Sequence, residues 1–320
     1  MITKETTYKK AFEEKANRRK QREAERELLL NAAYTLNPRL CEIDNEFSKI
    51  GAELAITALS GNIEKLETLK ALSTALSSEK TEILKKFDIK ELEFECSQCA
   101  DTGYVKGKIC DCIKREAATI MAKESSLLMP LDSCKFENFD LKYYSDKGKD
   151  GENPKKRMTS ILKLCKEYAL SFNPKTSKNL LFLGDAGLGK THLTLSIVSE
   201  VIKKGYMPIY GSAENIFKSI EKERFEFEDK GTYDSLLSCD LLVIDDLGSE
   251  MPTAFSKASL YNLVNTRILS RKPTIINTNL SMKEIEARYT ARIASRFIGE
   301  YDWNKFLGED IRQQKLSKHE

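Results

Sequence analysis

The chain has 320 residues, of which 41% are hydrophobic and 32% charged, and its formal net charge is +3. This length predicts two or three domains with a substantial core, and the mixed charge means that any nucleic-acid contact must come from local patches. No apolar run approaches the roughly 18 residues that a membrane-spanning helix needs, and the first ten residues contain no apolar signal core. We therefore expect a cytoplasmic protein without a membrane partner.

Residues 1–93 are predicted to form a helical region. Residues 9–30 are crowded with Lys, Arg and Glu, which is typical either of a solvated helix or of a surface that binds a partner protein or DNA. Apolar residues then recur at spacings of three and four over 43–58, and a second apolar stripe over 63–83 follows a break at Ser60-Gly61-Asn62. Two helices joined by a short turn would bury these stripes against each other.

The next segment is rich in cysteine. A C-x2-C pair is followed ten residues later by a C-x-C pair, and four thiolates are the number that structural zinc takes in tetrahedral coordination. The second spacing is shorter than usual, so reduced cysteines in a small hairpin are the alternative. We assign residues 94–116 as a zinc-binding module whose ligands are Cys96, Cys99, Cys110 and Cys112.

Residues 117–154 are interpreted as a linker. They contain a further helix, an aromatic run over 134–144 and a polar loop over 145–154. The aromatic side chains could contact DNA bases, but packing on the edge of the following domain is the favoured reading. From residue 155 to 320, strands and helices alternate, which predicts a parallel α/β sheet with helices on both faces.

Residues 184–191 fill every position of G-x-x-x-x-G-K-[ST], between an apolar strand and an amphipathic helix. In such a P-loop the backbone N–H groups and the helix N-terminus face phosphate oxygens. The lysine reaches the β- and γ-phosphates, and the threonine hydroxyl binds Mg²⁺. His192 follows the loop, where a lone histidine on a helix is usually structural. The expected nucleotide-binding residues are Gly184, Asp185, Ala186, Gly187, Leu188, Gly189, Lys190, Thr191 and His192.

Polar residues follow two later apolar strands. Asp245 is placed to hold Mg²⁺, and Asp246 to orient or deprotonate the attacking water. Many ATPases have Glu at the second position, so the shorter Asp suggests slow hydrolysis. Asn279 ends the next strand, where it can contact the γ-phosphate or the water. Arg292 and Arg296 share one helical face and suit the stabilisation of phosphoryl charge, even from a neighbouring subunit.

The segments 189–193, 245–248, 278–280 and 292–297 resemble the DnaC/DnaI-type replicative helicase loaders, which are AAA+ ATPases related to IstB. The resemblance covers residues 155–320 and is weaker over the cysteine segment, where DnaI-type loaders also bind zinc. It implies an AAA+ P-loop sheet in which Lys190 and Thr191 bind ATP·Mg²⁺. Asp245 and Asp246 would form the Walker B element, and Asn279 would be sensor 1. Arg296, beside Arg292, would be an arginine finger acting in trans, and Arg312 would be a further nucleotide contact.

The resemblance also implies a function. It predicts an ATPase with ATP, Mg²⁺ and Zn²⁺ as cofactors, which loads the replicative DNA helicase onto single-stranded DNA. The helicase would bind through residues 1–116, and the AAA+ domains would self-associate. Two alternatives remain open: an IstB-like ATPase that helps a transposase, and a nucleotide-gated adaptor with little turnover. Residues 219–230 mix charges with aromatics, a weak match to a groove for single-stranded DNA.

Overall fold

The computed structural model describes residues 3–89, 93–125, 133–148, 152–226 and 231–316. The chain divides into two compact units, one of Met1–Phe12 with Tyr104–Glu320 and the other of Glu13–Gly103. The domain boundaries expected from the sequence stay predictions. Within the described residues, none of the helices combines the length and the apolar character that crossing a membrane requires.

The smaller unit is helical, as the sequence predicts. Helix α2 (Arg39–Ser60) is followed by Gly61 in the left-handed conformation. The Asn62 side chain caps the next helix, α3 (Ile63–Lys86), by accepting the Lys65 N–H at 3.1 Å. The two predicted stripes meet, because Ile43 and Ile50 pack with Leu69 and Leu76 in one buried cluster. The helices are α1 (Lys4–Leu36), α2 (Arg39–Ser60) and α3 (Ile63–Lys86).

The larger unit contains a small hairpin and a five-stranded parallel sheet. The hairpin pairs β1 (Tyr104–Val105) with β2 (Lys108–Ile109) across Lys106 and Gly107, which both have positive φ, as a two-residue type I′ turn requires. The sheet strands are β3 (Asn179–Leu183), β4 (Pro208–Ser212), β5 (Leu241–Leu247), β6 (Thr274–Thr278) and β7 (Tyr301–Lys305).

The strand order is β4-β5-β6-β3-β7, so β6 lies between the strand before the P-loop and the strand that carries Asp245. The central strands are apolar and almost fully buried, whereas β7 at one edge keeps three exposed positions. Because all strands run parallel, their carboxyl ends meet at one edge of the sheet, where ligands bind in doubly wound folds.

Helices cover the sheet and complete one large apolar core. The expected fold class, a parallel P-loop sheet flanked by helices and preceded by a helical region, is confirmed. Two 3₁₀ turns, Phe136–Asn138 and Leu141–Tyr143, lie in the predicted linker. The helices of this unit are α4 (Asp111–Ser125), α5 (Pro154–Ser171), α6 (Lys190–Lys203), α7 (Ala213–Glu226), α8 (Thr232–Ser238), α9 (Ala254–Leu269), α10 (Met282–Arg288), α11 (Ala291–Glu300) and α12 (Ile311–Leu316).

Candidate nucleotide-binding site

The P-loop joins the end of β3 to the start of α6. Gly189 caps the helix with φ +87°, and α6 begins at Lys190, so the helix N-terminus points into the loop. Gly187 has φ +75°, its carbonyl accepts the Ile311 N–H at 3.2 Å, and a Cβ there would lie 2.0 Å from the Asp310 carboxylate. The positive φ favours glycine at this position, and the segment before α12 packs directly on the loop.

The Lys190 side chain is buried at 6% exposure and lies across the loop. Its ammonium donates to the carbonyls of Gly184 at 2.5 Å and Asp185 at 2.7 Å, and to Asn279 Oδ1 at 2.6 Å. Burial lowers the pKa of Lys190, an effect opposed by nearby Asp246, Asp245 and Asp185. The loop, the end of β6 and this ammonium therefore meet at one point.

The Thr191 hydroxyl donates to Asp245 Oδ2 at 3.0 Å. Asp245 is 7% exposed, and its other oxygen accepts the Asn277 side-chain N–H at 2.7 Å. The Tyr210 hydroxyl also donates to Asp245, and burial followed by this carboxylate raises the pKa of Tyr210. Thr194 completes the network by donating to Asn277 Oδ1 at 3.0 Å. A hydroxyl and a fixed carboxylate lie side by side, which is the donor set of a Mg²⁺ site.

Asp246 lies in a β-bulge. The pairing of β5 with β6 passes from Ile244 to Leu247 while β6 advances only from Ile276 to Thr278, so two residues oppose one. Asp246 adopts φ +57°, a left-handed conformation that Asp and Asn tolerate better than Glu does. The backbone thus accounts for Asp at a position where longer Glu is common, and it turns this carboxylate into the cleft.

A cleft of about 370 Å³ lies in front of the P-loop. The predicted residues 186–192, Asp246, Asn279 and Arg312 all line it. Its remaining wall comes from two segments, 134–143 and 311–315. This volume and this mixture of aromatic and charged side chains are typical of a small-molecule site.

The aromatic run 134–144 packs against the P-loop and forms part of the cleft wall, so the packing interpretation is confirmed for it. The Tyr144 hydroxyl donates to the Leu188 carbonyl at 2.9 Å, and burial raises the pKa of Tyr144. Phe139 stacks on Tyr144 at a centroid distance of 5.7 Å and contacts His192. The His192 ring lies 2.8 Å from the Lys135 carbonyl, so this histidine has a structural contact.

Arg292 and Arg296 lie on α11, outside the cleft lining. Ile293, Ala294 and Phe297 bury the opposite side of that helix, while Arg292 is exposed and Arg296 partly exposed. No ion pair to either arginine is seen among the described residues of this chain. Their predicted role in trans stays a prediction.

The four predicted zinc ligands come together. The sulfur atoms of Cys96, Cys99, Cys110 and Cys112 all lie within 4.8 Å of one another. A tetrahedral site with Zn–S bonds of about 2.3 Å has S–S edges of about 3.8 Å, so this cluster can hold zinc with only small adjustments.

Asp101 stabilises the first cysteine pair. Its carboxylate accepts the backbone N–H of Glu95 at 3.0 Å and of Cys96 at 2.9 Å, and it contacts Lys15 at 3.0 Å and Arg22 at 2.9 Å. Burial alone would raise the pKa of Asp101, but these donors outweigh it and hold the pKa well below its usual range. The backbone of the C-x2-C pair is therefore fixed by a satisfied buried carboxylate.

Sequence reasoning missed Tyr210 and Asn277, which both bond to Asp245. Asn277 carried a usable signal, since a buried polar side chain next to two isoleucines in a strand needs a hydrogen-bond partner. Tyr210 carried none, because β-strand tyrosines are common and its direction depends on how β4 pairs with β5.

Comparison with known proteins agrees with this geometry. Residues 156–298 match the family described as IstB-like ATP binding protein. The chain is 26% identical over 187 residues to the replicative helicase loader DnaC of Buchnera aphidicola subsp. Baizongia pistaciae, covering 57% of this chain and 70% of that protein. It is 24% identical over 192 residues to DnaC of Escherichia coli strain K12, covering 58% and 72%.

A solved structure of the DnaC helicase loader is also similar, with a TM-score of 0.45 and 23% identity over 54% of this chain and 98% of that one. Over residues 156–298 the chain is therefore similar to the IstB-like ATP binding proteins, and the geometry of its P-loop agrees with that description.

Proposed function

We propose that this protein is an ATP-dependent loader that places a replicative DNA helicase on single-stranded DNA during replication. The observation that carries the proposal is the cleft itself, where Lys190, the Thr191–Asp245 pair, Asp246 and Asn279 converge. The similarity to proteins named as replicative helicase loaders supports the choice of partner. Such a role places the protein in the cytoplasm.

The cleft supplies a role for each group in ATP hydrolysis. Lys190 would neutralise the β- and γ-phosphates, and Thr191 with Asp245 would hold Mg²⁺, which would add positive charge to offset that of the phosphates. Asp246, exposed in the cleft, would orient or deprotonate water, with Asn279 beside the γ-phosphate. Arg312 lines the same cleft and would add positive charge near the phosphates. Turnover would be slow and stimulated by partners, because Arg296 must come from a neighbouring subunit.

We further propose that the four-cysteine cluster binds one zinc ion per chain as a structural site. Elemental analysis of protein purified without added metal is expected to give about one zinc per chain. Cys96→Ser with Cys99→Ser should lose it, whereas Cys165→Ser, a buried cysteine in α5, should keep it. Less than about a tenth of a zinc per chain in reduced protein would contradict the assignment.

The helicase is expected to bind residues 1–116. Three apolar side chains at the turn between α2 and α3 are exposed in the helical unit: Ile56 by 67%, Leu59 by 91% and Ile63 by 74%. Exposed apolar residues grouped in this way are typical of an interaction surface. Because Leu59 buries so little of its side chain, a charged replacement there should leave the fold intact.

The test is co-purification with a replicative helicase from the same organism. The wild-type chain should retain the helicase, and Leu59→Glu should reduce retention at least about tenfold, since an interface residue can contribute 1–2 kcal/mol or more. Leu170→Glu, at a position 79% exposed in the larger unit, is the matched control and should bind normally. Absence of binding by the wild-type chain would contradict the loader function, and normal binding by Leu59→Glu would exclude this turn as the contact.

A second function is favoured by the family match, whose description names IstB rather than a loader. An IstB-like protein would assist a transposase, so retention of a transposase in place of the helicase would favour it. The helical and cysteine-bearing N-terminal region favours the loader, because the resemblance places such a region in DnaI-type loaders. A nucleotide-gated adaptor is the remaining alternative, and phosphate release with and without single-stranded DNA separates it from an ATPase.

A further inference from the structure

One buried carboxylate ties the turn after Asp246 to the corner between α10 and α11. Glu250 is 4% exposed, and its Oε2 accepts the Gly248 N–H at 2.9 Å while its Oε1 accepts the Tyr289 hydroxyl. The Arg288 guanidinium donates to the backbone carbonyl of Glu250. Three hydrogen bonds thus converge on a single residue that the ATPase roles described above do not use.

Each end of this link leads to a proposed catalytic group. On one side, Ser249 donates its backbone N–H at 3.0 Å and its hydroxyl at 2.8 Å to the Asp246 carbonyl. On the other side, Tyr289 directly precedes Thr290, whose side chain caps the first turn of α11. That helix carries Arg296. A short chain of hydrogen bonds and backbone therefore connects Asp246 to the helix of the proposed arginine finger.

The link uses both oxygens of one side chain. The Gly248 N–H and the Tyr289 hydroxyl each donate to a different oxygen of Glu250. An aliphatic side chain at this position would remove both acceptors. Burying a carboxylate costs free energy unless its oxygens are bonded, which is the case here.

The turn that follows Asp246 is packed so closely that it can move little without displacing its neighbours. Gly248 has φ +107°, and a Cβ there would lie 2.6 Å from Leu280, the residue that follows Asn279. Tyr289 is 2% exposed, so its ring is fixed in the core below α11. A shift of the turn must be accompanied by a shift of the α10–α11 corner, because close-packed interiors transmit displacement.

We propose that Glu250 is a positioning residue that makes the Asp246 turn and α11 move together through Tyr289. The nucleotide site of one subunit would then set where that subunit presents Arg296 to its neighbour. This inference rests on the proposed ATPase function and on self-association.

The test uses Tyr289→Phe, which removes one hydroxyl and leaves the ring. We expect kcat to fall about tenfold or more, since small displacements of catalytic groups have effects of this size, while the Kd for ATP changes less than about twofold. In an Arg296→Ala background the same substitution should change kcat less than about twofold, because the positioned group is already absent. Tyr168→Phe, which loses a 2.9 Å hydrogen bond to the Lys178 carbonyl before β3, is the matched control and should behave as wild type.

Glu250→Leu, which removes both acceptor oxygens, is the second variant and should show the same pattern, so the test stands if one of the two fails to fold. The inference would be overturned if these variants left kcat unchanged or weakened ATP binding. It would also be overturned if they reduced kcat equally in the wild-type and Arg296→Ala backgrounds. So would full activity of Arg296→Ala. If the wild-type chain hydrolyses no ATP with helicase and single-stranded DNA present, the proposed ATPase function itself fails, which is a different outcome.

Discussion

Asp246→Asn is expected to keep ATP bound while blocking its hydrolysis, whereas Lys190→Ala is expected to weaken binding itself. Asn tolerates the left-handed backbone at φ +57°, so this substitution removes the charge and leaves the bulge in place. Loss of a general base or water-positioning group lowers kcat by about 10²–10⁴. Loss of Lys190 removes charged hydrogen bonds to phosphates, which should raise the Kd at least about tenfold.

The measurement is nucleotide binding by fluorescence together with phosphate release under saturating ATP. For Asp246→Asn we expect a Kd within about twofold of wild type with little phosphate release. Lys203→Ala, at an exposed position near the end of the same helix, is the control and should retain turnover. Equal loss of binding in both principal variants would show that the assigned role of Asp246 is wrong.

Arg296→Ala is expected to bind ATP normally and to hydrolyse it poorly. Arginine fingers contribute about 10³–10⁵ in rate to related phosphoryl transfers. Arg296 lies outside the cleft of its own chain and is partly exposed on α11, which agrees with the proposed action on a neighbouring subunit. A loss of turnover without a loss of binding is therefore the expected signature.

Mixing separates action in trans from action in cis. In a mixed assembly, a Lys190→Ala subunit can supply its intact Arg296 to a neighbouring Arg296→Ala subunit. That neighbour still has a complete P-loop with which to bind ATP. A mixture of the two variants should therefore recover part of the turnover that each lacks alone. No recovery in a mixture that is shown to co-assemble would mean that Arg296 acts in cis or is a surface charge.

The sequence predicted the fold where local pattern and tertiary structure agree. The P-loop was predictable because its motif has glycines where the backbone needs positive φ and a lysine where α6 begins. The α2–α3 turn was equally visible, since Gly61 and Asn62 are the residues that end one helix and cap the next. The edge strand β7 was not, because Tyr301–Lys305 is polar and half-exposed, without the apolar run of a buried strand.

The sequence identified the main residues of the site but not the contacts between them. Which residues face Asp245 depends on strand register, so Tyr210 and Asn277 had no position in space until β4 and β6 were placed. The bulge at Asp246 arises from pairing with β6 and cannot be derived from the Asp-Asp dipeptide alone. Asp310 lies against Gly187 across 123 positions of sequence, a long-range contact that no local pattern encodes.

Helicase loading on circular single-stranded DNA tests the central claim most directly. A closed helicase ring cannot thread onto a circle without ends, so stable retention reports ring opening by a loader. Retention of helicase on the circle after a salt wash should require this protein and ATP, and Lys190→Ala should not support it. Equal retention with and without the wild-type protein would contradict the proposed function.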